Sequence, residues 1–312
     1  AVVGRLVGPL VWSLTGRLSG LSRDVRFVVS GVLGAAAAGT LLMWGQYQAL
    51  TGFGVWGVLI AVPAVGLLLG AVSGVTTAKG RIQPFVATLA MMISAWGLAR
   101  MIAGRGGRVH PIYFGQGQAD PAFEVLRYKI PLAIGASGAS VEVIPVPALI
   151  FVAVAIVSHV ILSTQRFGRH VYAVGGNEEA ARLSGIPVDR VKIATYAISG
   201  FLAGLAGVLF CAQYQQGKPD AGGGAGLDAI AAAVIGGTSL MGGRGRVSGT
   251  VVGVLIFGYL SNIFTLIGWP TDVQLALKGV IIVLAVLLQE GQLSRWARTA
   301  WLRLAGPSGS GG

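Results

Sequence analysis

The sequence predicts an all-α fold: a polytopic transmembrane helical bundle of about eight spanning segments with one short cytoplasmic helix. Three observations carry that reading. The 312 residues are 54% hydrophobic and only 11% charged, whereas a soluble domain carries about a quarter charged residues. Apolar runs of spanning or near-spanning length succeed one another at 27–45, 54–77, 84–103, 144–163, 193–213, 227–243, 247–268 and 273–290. Basic residues, finally, crowd onto alternate connections between those runs. The mean hydropathy of +0.75 agrees, and fifty glycines with no Gly-X-Y period suit helices that approach closely in lipid.

Along the chain, residues 1–26 mix Gly, Arg and Ser with short apolar stretches and lack the charge layout and cleavage site of a signal peptide. They read as an N-terminal cytoplasmic or interfacial segment. A transmembrane domain fills 27–290, and 291–312 is a cytoplasmic tail ending in the flexible composition Gly306–Gly312. Threading the spans alternately puts Arg5, Arg17, Arg23, Arg26, Lys79, Arg81, Arg166, Arg169, Arg182, Arg190, Lys192, Arg244, Arg246, Arg295, Arg298 and Arg303 on one side. The other side holds only Arg105, Arg108, Arg127, Lys129 and Lys218. Sixteen against five is a positive-inside signature. It places both termini in the cytoplasm and explains the net charge of +12 without nucleic acid. The 104–143 connection is then the longest outside loop, lying on or dipping into the outer surface. Small residues repeat every four positions at Gly66, Gly70 and Gly74, at Gly200 and Gly204, and at Gly249 and Gly253. Such faces predict tight packing within one bundle.

Between two apolar runs lies a polar island, 170–187, on the cytoplasmic side. Asn177 is a good N-cap, Glu178 and Glu179 follow where the helix dipole favours negative charge, and Ala180, Ala181, Arg182 and Leu183 are strong helix formers. Gly185 stops the helix and Pro187 forbids its continuation. The product is a helix of roughly two turns, about 10 Å long. It is too short to stand alone in water and must rest on the chain itself or on a partner.

Enzyme chemistry finds no foothold. The chain has no Gly-x-x-x-x-Gly-Lys-Ser/Thr phosphate loop, and the Gly236–Arg246 cluster follows no strand of a βαβ unit. Active transport would therefore draw its energy from another chain. His110, His159 and His170 are scattered without metal-ligand spacing, and Cys211 is alone. We expect no catalytic residues, no metal and no cofactor. Two charges fall within or at the edge of spans: Asp228, near the outer end of the sixth, and Lys278, inside the eighth. Charges there are costly and mark either a path or a structural arrangement, with Asp228 capping its helix and Lys278 snorkelling or pairing. The outer set Gln213, Tyr214, Gln215, Gln216 and Asp220 fits ordinary loop solvation better than contact with a hydroxylated ligand.

From about Ala71 to Leu288 the chain resembles the membrane permeases of bacterial ATP-binding-cassette importers for monosaccharides, of the ribose, xylose and galactose type. The resemblance rests on Ala71-Val-Ser-Gly-Val-Thr-Thr-Ala-Lys-Gly80, Pro84-Phe-Val-Ala-Thr-Leu89, Gly175-Gly-Asn-Glu-Glu-Ala-Ala-Arg-Leu-Ser-Gly185 and, most specifically, the run Leu227–Arg246. It implies that the short helix, Asn177, Glu178, Glu179, Ala180, Ala181, Arg182, Leu183, Ser184 and Gly185, is a coupling element docking on a cytoplasmic ATPase subunit. It also implies a second permease copy or paralogue, a periplasmic sugar-binding protein, a monosaccharide substrate and a multi-pass location in the bacterial inner membrane. Two departures stand out. Gly226 occupies a position usually acidic in the family, and Arg23–Leu33 stands where a Gly-Gly-Ile-Asp-Leu-Ser-Val-Gly stretch is expected. Alternatives are a branched-chain amino-acid permease of the same superfamily, an ATP-independent carrier or channel, and a structural membrane subunit. The Leu227–Arg246 run disfavours the first. The second should show more intramembrane charge or paired half-helices.

Overall fold

The structure, a computed structural model, describes residues 55–80, 82–103, 109–111, 125–133 and 140–289. The expected segment 1–26, the span 27–45 and the tail 291–312 lie outside the described residues. The chain divides into two compact units, Ala1–Ala153 with Ala181–Ala221 and Val154–Ala180 with Gly222–Gly312.

In the first unit, α1 (Val55–Gly80) and α2 (Pro84–Ile102) follow each other closely. Lys79 sits in the last turn of α1, where a cation suits the helix dipole. Pro84 opens α2 at a position whose amide would have no helical partner. Strand β1 (His110–Pro111) pairs antiparallel with β4 (Gln216–Gly217), and β2 (Lys129–Ala133) pairs antiparallel with β3 (Ser140–Pro145). The β2–β3 register shifts between Ile130 and Pro131, where proline brings no amide to the ladder. The 104–143 connection, read from the sequence as an outside loop, thus carries short strands among its described residues. Helix α3 (Val146–Thr164) begins directly after β3, and α6 (Val188–Tyr214) is the long partner of α1.

The α1–α6 contact is built on missing side chains. Gly66 and Gly70 lie against the backbone of Gly200 and Tyr196, Gly74 against Ile193, and Gly204 against Val62 and Pro63. A Cβ at Gly66 or Gly200 would strike the other residue's carbonyl oxygen. The expected small-residue stripes therefore meet one another, and dispersion between backbones replaces side-chain interlocking. The buried hydroxyls of Ser73, Thr76 and Thr77 donate to carbonyls one turn back, at Leu69, Val72 and Ser73. Leu126, Val208 and Ala212 form a small core with Val58, Leu59, Val62, Ile150 and Leu209 packed around it.

The second unit takes the later half of α3, then α4 (Arg166–Gly176), α7 (Ala225–Ile235), α8 (Val247–Leu266) and α9 (Thr271–Gln289). Its core joins Ala231, Ala232 and Phe257, flanked by Ile235, Ile281 and Ile282. Gly249 and Gly253 of α8 lie against the backbone of Gly236 and Ala232.

Among the described residues five helices are long and apolar enough to cross a membrane: Gly57–Gly80, Pro84–Met101, Val146–Thr164, Val188–Tyr214 and Val247–Leu266. No residue of α3 is buried, although the helix is almost wholly apolar. Val152, Ile156 and Val157 stand exposed. Such a surface is untenable in water and ordinary against hydrocarbon. The protein is a multi-pass membrane protein whose described spans are all helical.

One expected span needs correction. The apolar run 227–243 does not form one helix; α7 ends at Ile235, and Gly237 adopts φ 84°. Its 11 residues cover about 16 Å, half of a bilayer core of about 30 Å. Leu240 and Met241 extend the hydropathy but not the helix, because the intervening glycines turn the chain. In the opposite sense, α6 starts before its expected 193, because Val188 and Val191 are buried on its first turns.

Candidate functional site

The polar island folds into two helices, not one. Helix α4 carries Phe167, Val171 and Tyr172 toward shelter while Arg166 and Arg169 stay exposed, the pattern of a helix lying at an interface. Helix α5 (Glu178–Leu183) follows after the single residue Asn177. That residue serves both. Its backbone N–H donates to the Ala173 carbonyl at 3.1 Å, closing α4, while its Oδ1 accepts from the Ala180 N–H at 3.0 Å, opening α5. The expected N-cap is present, and the break between helices comes from the same residue.

The other end of α5 is a Schellman motif. Gly185 adopts φ 80°, its N–H donates to the Arg182 carbonyl at 3.0 Å, and the Ile186 N–H donates to the Ala181 carbonyl at 3.1 Å. A helix of six residues is thus held by its caps. Of the nine residues singled out in the sequence, only Ala181 is buried; Asn177, Glu178, Glu179, Ala180, Arg182, Leu183, Ser184 and Gly185 are exposed. Leu183 is 83% exposed. Arg182 Nη2 lies 3.4 Å from Asp189 Oδ1, on the first turn of α6. With both side chains about half exposed, this pair adds little to stability. The boundary between the two units falls inside α5, after Ala180.

What the sequence did not reveal is the seat of α4. Its C-terminal Gly175-Gly176 lies against Gly242-Gly243 of the turn between α7 and α8, so tightly that a Cβ at Gly175, Gly242 or Gly243 would meet backbone. Gly242 and Gly243 have φ 92° and 71°. The Tyr172 hydroxyl donates to the Gly245 carbonyl at 2.9 Å. Within the turn, the Ser239 N–H donates to the Arg244 carbonyl at 2.9 Å and the Met241 N–H to Ser239 Oγ at 3.2 Å. Two Gly-Gly pairs far apart in the chain were the signal, one that becomes readable only when their contact is known.

Asp228 and Lys278, treated separately in the sequence, form a pair. Lys278 Nζ of α9 donates to Asp228 Oδ2 at 2.8 Å, with side chains 15% and 39% exposed. Asp228 stands in the first turn of α7, as its expected position at a helix start requires. Lys278 also lies over the Phe257 ring, 5.7 Å from its centre. A second long-range pair joins Arg100 at the end of α2 to Asp220, through Nη2 at 2.6 Å and Nε at 2.9 Å.

Comparison with known proteins fits this architecture. Residues 11–286 match the family model described as branched-chain amino acid transport system / permease component. The ribose import permease protein RbsC of Escherichia coli K12 is 42% identical over 228 residues, covering 73% of this chain and 67% of that one. The Bacillus subtilis ribose import permease protein RbsC is 41% identical over 222 residues, covering 69% and 62%. The xylose transport system permease protein XylH of Haemophilus influenzae is 34% identical over 300 residues, covering 82% and 78%. No solved structure matches the chain.

Proposed function

The chain belongs to this permease family, with monosaccharide permeases of ATP-binding-cassette importers among its relatives, and we propose that it forms the inward path for a monosaccharide, driven by a separate ATPase docked on α5. Members of this kind are transport proteins rather than enzymes. The observation that carries the coupling is the exposure of α5. A capped helix of six residues presents both carboxylates, Arg182 and an 83% exposed Leu183 at its surface, and an isolated helix of that length has no stability of its own to justify such display. A partner groove that takes Leu183 and answers the charges explains the display. Because the chain holds no phosphate loop, that partner supplies the energy.

The same reading places both termini and α5 in the cytoplasm of a bacterial inner membrane, by the distribution of Lys and Arg. It assembles the chain with a second permease copy or paralogue, two ATPases and a periplasmic sugar-binding protein. The substrate is a monosaccharide because the relatives at 41–42% identity are named for ribose import. The family description keeps a branched-chain amino acid as the competing solute.

Co-purification tests the coupling. Extracted in mild detergent with its native partners, the chain should bring down an ATPase subunit, and Glu179→Lys or Arg182→Glu should lower that yield about tenfold, the equivalent of roughly 1.4 kcal/mol at the interface. Wild-type yields from both variants would remove α5 as the docking element. Uptake of ribose, xylose and leucine by the reconstituted complex separates the two solute classes.

A further inference from the structure

Resting on that permease reading, we infer that the Asp228–Lys278 pair is a polar station on the solute path, which takes a neutral polyhydroxylated ligand at the middle of the membrane. Depth comes first. Helix α8 has 20 residues, about 30 Å, the thickness of a bilayer core. Phe257 lies midway along it, and Lys278 stands over the Phe257 ring with Asp228 at 2.8 Å from its Nζ. The ion pair therefore sits near the bilayer midplane, equally far from both surfaces.

Helix α7 shows why water reaches that depth. It runs antiparallel beside the first half of α8, Gly236 against Gly249 and Ala232 against Gly253, so that its start lies near Phe257. Before it, the chain at Gly222–Gly224 is non-helical and exposed. Irregular backbone at membrane depth survives only when buried in protein or lining a water-filled cavity. This segment is exposed in the chain, which fits a water-filled cavity better than lipid.

The pair's own chemistry points the same way. As a staple between α7 and α9 it is a poor choice, since two apolar side chains of similar volume would hold the helices at lower desolvation cost. Its members are also unequal. Lys278 is largely sheltered, while Asp228 is 39% exposed and its Oδ1 has no partner among the described residues. A carboxylate oxygen accepts a hydroxyl proton, and the adjacent ammonium donates to a neighbouring hydroxyl oxygen. One neutral pair thus answers both halves of a vicinal diol. An ion, or a zwitterion, would have to compete with the pair itself.

The test uses the assembled importer in proteoliposomes, with Cys211→Ala as background. Asp228→Cys should react with a membrane-impermeant thiol reagent, and ribose should slow that reaction while leucine does not. Should Asp228→Cys fail to assemble, Gly226→Cys reports the same water, because a side chain there meets no neighbouring atom. A site that stays unreactive throughout the ATP cycle overturns the inference, whatever the complex transports. Asp228→Asn should lower ribose uptake about tenfold with ATP hydrolysis retained, a selective loss of solute handling, although the unpaired Lys278 lowers the melting temperature. The exchange Asp228→Lys with Lys278→Asp restores the pair but inverts its exposed member. Melting temperature should recover and uptake should not; full recovery of uptake would identify a mere staple and sink the proposal. A wild-type complex that fails to take up ribose or xylose with ATP contradicts the permease reading instead, and the labelling result still decides whether Asp228 faces water.

Discussion

Asn177 contributes two hydrogen bonds to two helices through different atoms, and only one of them depends on its side chain. Asn177→Ala should therefore leave the end of α4 intact and loosen the start of α5, by about 1 kcal/mol. Hydrogen exchange would read this as faster exchange at Ala180 with little change at Asn177 itself; Asn177→Asp, which keeps an acceptor, should restore protection. At Gly243 the demand is steric and conformational together, because φ is 71° and Gly176 lies against the position a side chain would take. Gly243→Ala should lower the melting temperature of the detergent-solubilised chain by the equivalent of about 1–3 kcal/mol. An unchanged melting curve would mean that α4 does not rest on the turn.

Helices differ sharply in how they use glycine. On α1 and on most of α6 and α8 the glycines are contact surface, whereas Gly97 of α2, Gly207 of α6 and Gly279 of α9 are open positions. Gly200→Leu should separate α1 from α6 and abolish a sharp thermal transition, since the side chain would enter the Gly66 and Gly70 backbone. Gly207→Ala, on the same α6 but facing open space, should leave the transition unchanged or raise it slightly through better helix propensity, about 0.5–1 kcal/mol. Parallel melts of the two variants decide whether packing or propensity governs α6. The four-residue repeats at Gly66, Gly70, Gly74, Gly200 and Gly204 were legible in the sequence because helical geometry puts such positions on one face. The end of α7 was not. Hydropathy runs unbroken through Gly236-Gly237 to Met241, and an average over a window cannot see one residue at positive φ. Pairing of Asp228 with Lys278 was equally hidden, since 50 residues separate them and neither charge names its partner.

At the scale of the molecule, composition alone argued against a soluble protein, because only 11% of the residues are charged where a soluble domain carries about a quarter. Helix α3, apolar and with no buried residue, is the structural counterpart of that argument. The orientation proposed from side-specific charge is measurable. In a Cys211→Ala background, Glu179→Cys should label with an impermeant reagent only from the cytoplasmic face, and Lys218→Cys only from the outer one. Reversed labelling would invert the whole topology while leaving every helix in place.

The mid-membrane pair also has an electrical consequence. Moving one elementary charge through a membrane potential of about 100 mV is worth about 2.3 kcal/mol. Asp228 and Lys278 sum to zero, and at 2.8 Å they travel as a unit. Any rearrangement that shifts α7 with α9 therefore displaces no net charge through the field at that depth. A passing neutral solute adds none, so turnover at this step should be the same in polarised and depolarised vesicles.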